Sequence, residues 1–242
     1  MARRSSPSPT SPGLFDVDDT HRWLEPSFRE QQGYTHIVGI DEAGRGPLAG
    51  PVVAAAVLLP ADCVLEDLDD SKRLTEKKRR RLFYEIQSVA LGVGAGVVSA
   101  ADIDELNIHQ ATLKAMSKAL TQLRRACSLP LDLVLVDGKY TFETELAIQA
   151  VVKGDQKCQS IAAASVLAKV LRDQIMLAYH ELYPNFQWDR NKGYPSAAHR
   201  QAVQEHGPTL VHRLTFNGVL PAEEPEAPEP ADTTASLFPN DD

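Results

Sequence analysis

Ile37-Val38-Gly39-Ile40-Asp41-Glu42-Ala43-Gly44-Arg45-Gly46-Pro47-Leu48-Ala49-Gly50-Pro51 runs from an apolar strand into two adjacent carboxylates, then into a glycine-rich bend carrying one arginine. Ionised carboxylates at the end of a buried strand need a cation or hydrogen-bond donors. A divalent metal supplies the first, and glycine amides supply the second. Successive strand residues point to opposite faces, so Asp41 and Glu42 share one metal only if the chain bends. The glycines that follow allow that bend. An Asp-Glu pair by itself reads as a strand running into a solvated turn. Glycines, two prolines and an arginine crowded around this pair favour a site.

Working outward, Val52 to Leu59 is a second apolar run, closed by Pro60. The short link between the two runs predicts antiparallel neighbours. Ala90 to Ser99, rich in Gly, Ala and Val, predicts a third and tightly packed strand. Between the second and third strands, Thr75 is placed to cap a helix ending near Val89. Seven bases fall between Lys72 and Arg81. A charge run of this kind reads as a solvated helix face or as a phosphate-contacting surface. Lys72 and Arg73 precede the cap and are the better placed of the seven to meet a backbone phosphate.

Residues 102–126 predict one helix, with Leu113, Met116, Leu120 and Leu123 as its core stripe. Asn107 and His109 near its start suit either capping or a functional role. Leu131-Asp132-Leu133-Val134-Leu135-Val136-Asp137-Gly138 then repeats the opening pattern of apolar strand, acid and glycine. The carboxyl end of a central strand is a common ligand position in open α/β sheets. Ile148 to Val152 is a short strand, turned by Lys153-Gly154-Asp155. A long helix follows from Ser160 to about Leu182, its first half almost free of polar residues. Val166, Val170, Asp173 and Leu177 fall on one stripe of it. Asp173 either pairs with Lys169 or Arg172 at the surface or reaches toward the strand ends. Tyr194 lies between Gly193 and Pro195 on a constrained bend, flanked by bases, where a ring can stack on a sugar or base. Ser196 caps the next helix.

The net charge of −8 is distributed unevenly. Residues 221–242 hold seven acids and no base; residues 1–33 hold four arginines and five acids. The intervening 34–220 carries 21 bases and 21 acids, a balance compatible with nucleic acid. The first 33 residues, rich in Ser, Pro and Thr at the start, read as mostly disordered, with Trp23, Leu24 and Phe28 able to dock locally. Residues 221–242 read as a disordered acidic, Pro-rich tail. No run of about 18 apolar residues suggests a membrane span. The N-terminal Arg pair is not followed by the apolar core of a secretory signal. Three scattered cysteines suit a reducing compartment. A cytoplasmic location, and action as a monomer, are the expectations.

Taken together, Gly39 to Gly46, Asp70-Ser71-Lys72-Arg73-Leu74-Thr75, Val136-Asp137-Gly138, Ser160 to Ser165 with Ala168-Lys169-Val170 and Arg172-Asp173, and Lys192-Gly193-Tyr194-Pro195 resemble bacterial ribonuclease HII. The motifs occur in family order and cover roughly 34–220, the span of the expected catalytic domain. The resemblance implies an α/β, RNase H-like fold: a mixed five-stranded sheet flanked by helices, with a helical C-terminal part. It implies hydrolysis of the RNA strand of RNA–DNA hybrids, and cutting 5′ of ribonucleotides embedded in duplex DNA. It implies Asp41, Glu42, Asp137 and Asp173 as four catalytic carboxylates holding two Mg²⁺ or Mn²⁺ ions, and Gly44, Arg45, Gly46, Lys72 and Tyr194 as substrate contacts. A nucleic-acid-binding module on the same scaffold, or another nuclease of the superfamily, are the alternatives. The full carboxylate set weighs against the first; the Gly-Arg-Gly bend and Tyr194 weigh against the second.

Overall fold

The computed structural model describes residues 23–220. In chain order the elements are α1 (Glu25–Gln32), β1 (Ile37–Ala43), β2 (Val52–Leu58), α2 (Glu76–Val89), β3 (Gly92–Val98), α3 (Ala100–Leu106), α4 (Ile108–Ala126), β4 (Leu133–Asp137), β5 (Ala147–Val151), α5 (Gln159–Leu182), α6 (Trp188–Asn191) and α7 (Ala197–His206). The five strands form one mixed sheet in the order β3-β2-β1-β4-β5. β2 runs antiparallel to both β1 and β3, whereas β4 lies parallel to β1 and β5 parallel to β4.

Alternation along the strands sorts the core into two layers. Val38, Ile40, Val52, Ala54, Ala56, Leu58, Val134 and Val136 face α4, meeting Met116, Leu120 and Leu123. Ala55 and Val57 face the other way, onto Ala162–Ala164, Val166 and Leu167 of α5 and onto Leu82, Phe83 and Ile86 of α2. Each such large apolar side chain, fully buried, contributes about 1.5–3 kcal/mol. The small residues of β3 serve close approach: a methyl on Gly96 would stand 2.0 Å from the Ala115 carbonyl oxygen, and one on Gly94 2.2 Å from that of Ala119.

Helix ends follow the sequence closely in one case and less so in another. Thr75 caps α2, accepting from the Lys78 amide at 3.3 Å. The single helix expected over 102–126 is two. Asn107, at φ 68°, ends α3, and its side chain accepts from the His109 and Gln110 amides to start α4. The folded body also begins earlier than residue 34. α1 buries Phe28 against Ile37, Leu135 and Ile161. Its Glu25 accepts from the amide and hydroxyl of Ser160, at 2.9 and 2.8 Å, and so caps α5 from a distance in sequence. The remaining residues expected to be disordered, 1–22 and 221–242, lie outside the described residues. Among the described residues no helix is long and apolar enough to cross a membrane.

Candidate active site

Because β1 and β4 are parallel, both deliver their carboxyl ends to one edge of the sheet. Ile40 pairs with Val136, so Asp41 and Asp137 follow side by side on neighbouring strands. Strand alternation turns both toward the α5 side, opposite to Ile40 and Val136. Glu42 remains within the ladder too. β1 pairs with β2 through Ala43, so the bend expected at the acids begins only at Gly44, at φ 97°. Strand adjacency gathers Asp41 and Asp137, while Glu42 follows with no kink after Asp41 and its carboxyl is still close enough to be felt by both.

The electrostatics record this crowding. Burial, then Glu42 and Asp137, push the Asp41 carboxyl well above its ordinary range, against the Glu42 amide and the Ser165 hydroxyl. Burial also raises Glu42; Arg45, with Nη1 3.4 Å from its Oε1, opposes the rise, and Asp137 adds to it. Among the described residues neither Asp41 nor Asp137 has an ion-pair partner. Asp137 instead accepts from the Gly154 amide at 2.6 Å, which ties the end of β4 to the turn after β5.

That turn brings in an acid the sequence reading passed over. Asp155 is buried; burial, then Asp137 and Asp70, raise its carboxyl, while Lys72 lowers it. Asp173 does not join this group. It bonds Lys169 Nζ at 2.7 Å and lines a cleft with Glu76, Arg79, Arg80 and Lys192. It stands eight residues beyond Ser165 on α5, about 12 Å further along the helix axis. Of the alternatives for Asp173 the pair with Lys169 is the arrangement found, partly buried rather than at the open surface. The stripe that suggested otherwise loses its burial on the way: Val166 and Val170 are covered, Leu177 is exposed.

Lys72 sits inside the acidic field. Burial works against its charge, yet Asp70, Asp41, Asp155 and Asp137 together lift its ammonium above the ordinary lysine value. Its amide is fixed by Asp70 Oδ1 at 2.9 Å, and Arg79 holds the same loop through the Ser71 and Leu74 carbonyls. Other bases of the run are engaged locally: Arg73 with Asp69, and Lys78 and Arg81 with Asp67.

Beside the acids, two buried arginines shape the Gly44–Pro51 loop. Arg172 of α5 donates to the carbonyls of Pro51, Lys192 and Ala49 at 2.9–3.0 Å. Arg213 donates to those of Gly50, Arg45 and Gly44 at 3.0, 3.0 and 2.6 Å. Burial, then the Arg172 cation, push Arg213 down to about 9, still charged at neutral pH. Five loop-facing donors replace a regular ladder, and a sixth ties the loop to Lys192, using the planar fork that only arginine offers. Gly44 is required on two counts: its positive φ, and the Arg172 Nε that a methyl there would meet at 2.0 Å. Tyr194 is 43% exposed, with Lys169 Nζ and Arg172 Cζ each 5.8 Å from its ring centre. A methyl on Gly46 would lie 3.9 Å from Tyr194 Cε1, so Gly46 and the tyrosine ring border one surface.

The donor set suits a hard divalent cation. Asp41, Glu42, Asp137 and Asp155 offer carboxylate oxygens, and the raised carboxyls of three of them mark a repulsion that a cation relieves. Among the described residues no three acid, histidine or cysteine side chains are already drawn together as a chelate.

Comparison with known proteins agrees with this picture. Residues 38–219 match the family model for Ribonuclease HII. Ribonuclease HII of Geobacter metallireducens is 45% identical over 208 residues, spanning 86% of this chain and 96% of that protein. That of Desulfotalea psychrophila is 50% identical over 208 residues, spanning 86% and 92%. Among solved structures, the ribonuclease H2 from Pyrococcus horikoshii OT3 superposes with a TM-score of 0.64 at 24% identity, covering 76% of this chain and 95% of that one, a likeness of fold. The match of one family model to nearly the whole described body, on the mixed five-stranded sheet that was expected, leads to one conclusion: the chain belongs to the ribonuclease HII family.

Proposed function

We propose that this endonuclease, besides hydrolysing the RNA strand of RNA–DNA hybrids, cuts duplex DNA on the 5′ side of an embedded ribonucleotide, leaving 3′-hydroxyl and 5′-phosphate ends. The role that follows is removal of misincorporated ribonucleotides in the cytoplasm, by a protein acting as a monomer. The observation that carries the reading is the adjacency of two surfaces. The acid edge of Asp41, Glu42, Asp137 and Asp155 lies at the mouth of a loop whose Gly44-Arg45-Gly46 segment borders Tyr194.

Each group has a task. Asp41, Glu42, Asp137 and Asp155 are the proposed ligands for two Mg²⁺ or Mn²⁺ ions. When bound, such ions supply activation of water and stabilisation of the leaving 3′-oxygen. Asp155 takes the place first expected for Asp173. Lys72, kept charged by the surrounding acids, is placed to meet a substrate phosphate. A single ribonucleotide differs from its DNA neighbours only by a 2′-hydroxyl, which both donates and accepts. Reading it needs close polar approach at one sugar. Gly46 leaves room for that approach, Gly44 makes the bend that presents it, Arg45 brings charge to the phosphate beside it, and Tyr194 offers a ring to the sugar and a hydroxyl to bond it.

The test is a DNA duplex carrying one ribonucleotide, incubated with and without Mg²⁺ or Mn²⁺. Cation-dependent cutting immediately 5′ of the ribonucleotide, with none on the all-DNA duplex, is expected. Binding without cutting would favour a module that has lost catalysis. Cutting of the all-DNA control would favour a different nuclease chemistry.

A further inference from the structure

Tyr194 has an exposed ring, so the core does not fix its side chain directly. Its main chain is fixed instead. The Tyr194 carbonyl accepts from the Ser196 amide at 2.8 Å and contacts His199 Nδ1 at 3.0 Å. His199 is fully buried and belongs to a polar network sealed inside an aromatic box with Phe186 and Trp188.

The network assigns the protons. The Thr209 amide donates to His212 Nδ1 at 2.9 Å, so the neutral His212 ring carries its proton on Nε2. That nitrogen lies 3.1 Å from His199 Nε2, and Trp188 Nε1 also donates to His199 Nε2, at 3.0 Å. His199 Nε2 is therefore an acceptor, and the His199 proton sits on Nδ1, aimed at the Tyr194 carbonyl. Burial lowers both histidines, His212 to about 4, so the pair is neutral at pH 7.

The pair also bridges the two halves of the recognition surface. His212 forms an antiparallel bridge with Ala49, and the next residue, Arg213, holds the Gly44 and Arg45 carbonyls. Hydrogen bonds thus run from Tyr194 through His199 to His212, and the peptide link to Arg213 carries the path on to the Gly-Arg-Gly loop.

We propose that His199 is a positioning residue for ribonucleotide recognition, setting Tyr194 against the Gly44-Arg45-Gly46 loop through its Nδ1 proton. The inference rests on the reading of Tyr194 given above. Two substitutions separate this role from packing. Asn at 199 places an amide N–H where Nδ1 was. Gln places its amide where Nε2 was, keeping a partner for Trp188 and His212 but losing the donor to Tyr194.

Steady-state kinetics on the single-ribonucleotide duplex and on a continuous RNA–DNA hybrid are compared for wild type, His199→Gln, His199→Asn, Tyr194→Ala and the double variant His199→Gln/Tyr194→Ala. Thermal melts establish that each is folded. A displaced recognition group costs tenfold or more, so His199→Gln is expected to lose about tenfold in kcat/KM on the single-ribonucleotide duplex and about twofold on the hybrid. The double variant is expected to be no worse than Tyr194→Ala alone, because both remove one function. His199→Asn is expected to stay within about twofold of the wild-type ratio between substrates. Additive losses in the double variant, equal losses on both substrates, or Asn poorer than Gln would overturn the proposal. If His199→Gln does not fold, the Asn arm decides: a fall of about tenfold in its substrate ratio overturns the role, and retention supports it. If Tyr194→Ala discriminates as wild type does, the reading of Tyr194 fails and this inference with it. If Tyr194→Ala is impaired and His199→Gln is not, only this inference fails.

Discussion

Replacing Arg213 by lysine tests whether the recognition loop is held by a guanidinium fork. Arg213 is fully buried and serves three main-chain carbonyls, those of Gly44, Arg45 and Gly50. A lysine ammonium keeps the charge but reaches one of these at full strength. Two carbonyls then lose their donor, and each buried unsatisfied group costs about 1–3 kcal/mol. A destabilisation of about 4 kcal/mol follows as a central value, before any gain from the shorter side chain relaxing. For a domain of this size 1 kcal/mol moves the melting temperature by roughly 2–4 °C, so Arg213→Lys should melt roughly 8–16 °C below wild type. Differential scanning calorimetry on the full chain measures this, with urea unfolding as a second determination. The loop carries the Gly-Arg-Gly segment, so cleavage of a single-ribonucleotide duplex should fall more than cleavage of a continuous hybrid. A melting temperature within about 2 °C of wild type would refute the reasoning, since it would mean that solvent or neighbouring donors already serve those carbonyls.

Mg²⁺ or Mn²⁺ should raise the melting temperature by binding the folded acid cluster, and Asp41→Asn should raise it in chelator by easing repulsion with Glu42 and Asp137; a less stable metal-free variant would show that protein donors hold the Asp41 charge. Acid should weaken the fold through His212, whose folded-state value of about 4 lies below the ordinary histidine value. The unfolded chain then binds more protons as pH falls below about 6.5, so this stability is whole above that point and lost on the way down to about 4. Between pH 7 and pH 5 the linkage amounts to about 2 kcal/mol at most, less where water screens the pair, and a His212→Gln variant should show a shallower dependence of melting temperature on pH.

Strands β1, β2, β3, β4 and β5 are legible in the sequence because each is a short apolar run with a clear stop, and the acids at 41, 42 and 137 stand where those runs end. Asp155 is harder to see. It follows β5 by four residues, past Lys153 and Gly154, and only the fold of the 3₁₀ turn at Gly154–Gln156 carries it back toward Asp137. Its signal in the sequence is a third apolar strand leading to a glycine and an acid. Asp173 misleads for the opposite reason. Helical periodicity assigns it to a buried stripe, but α5 outruns the sheet, and its later turns meet Ala49, Phe186 and Trp188 through Met176 rather than the strand ends. Arg172 and Arg213 look like surface charges in sequence. Their partners in the Gly44–Pro51 loop lie 121 to 169 residues away, and no local pattern announces a guanidinium that serves main-chain carbonyls. α1 is hidden similarly: Glu25 is buried because Ser160, 135 residues on, needs an acceptor.

The claim that catalysis belongs to the strand-end acids is tested most directly by comparing Asp155→Asn with Asp173→Asn on the single-ribonucleotide duplex, alongside calorimetric titration of each with Mn²⁺. Asp155→Asn should bind Mn²⁺ more weakly and lose cleavage by about a hundredfold or more, while Asp173→Asn should bind and cut within about threefold of wild type. A folded Asp173→Asn that neither binds Mn²⁺ nor cuts, beside an Asp155→Asn that does both, would contradict the account.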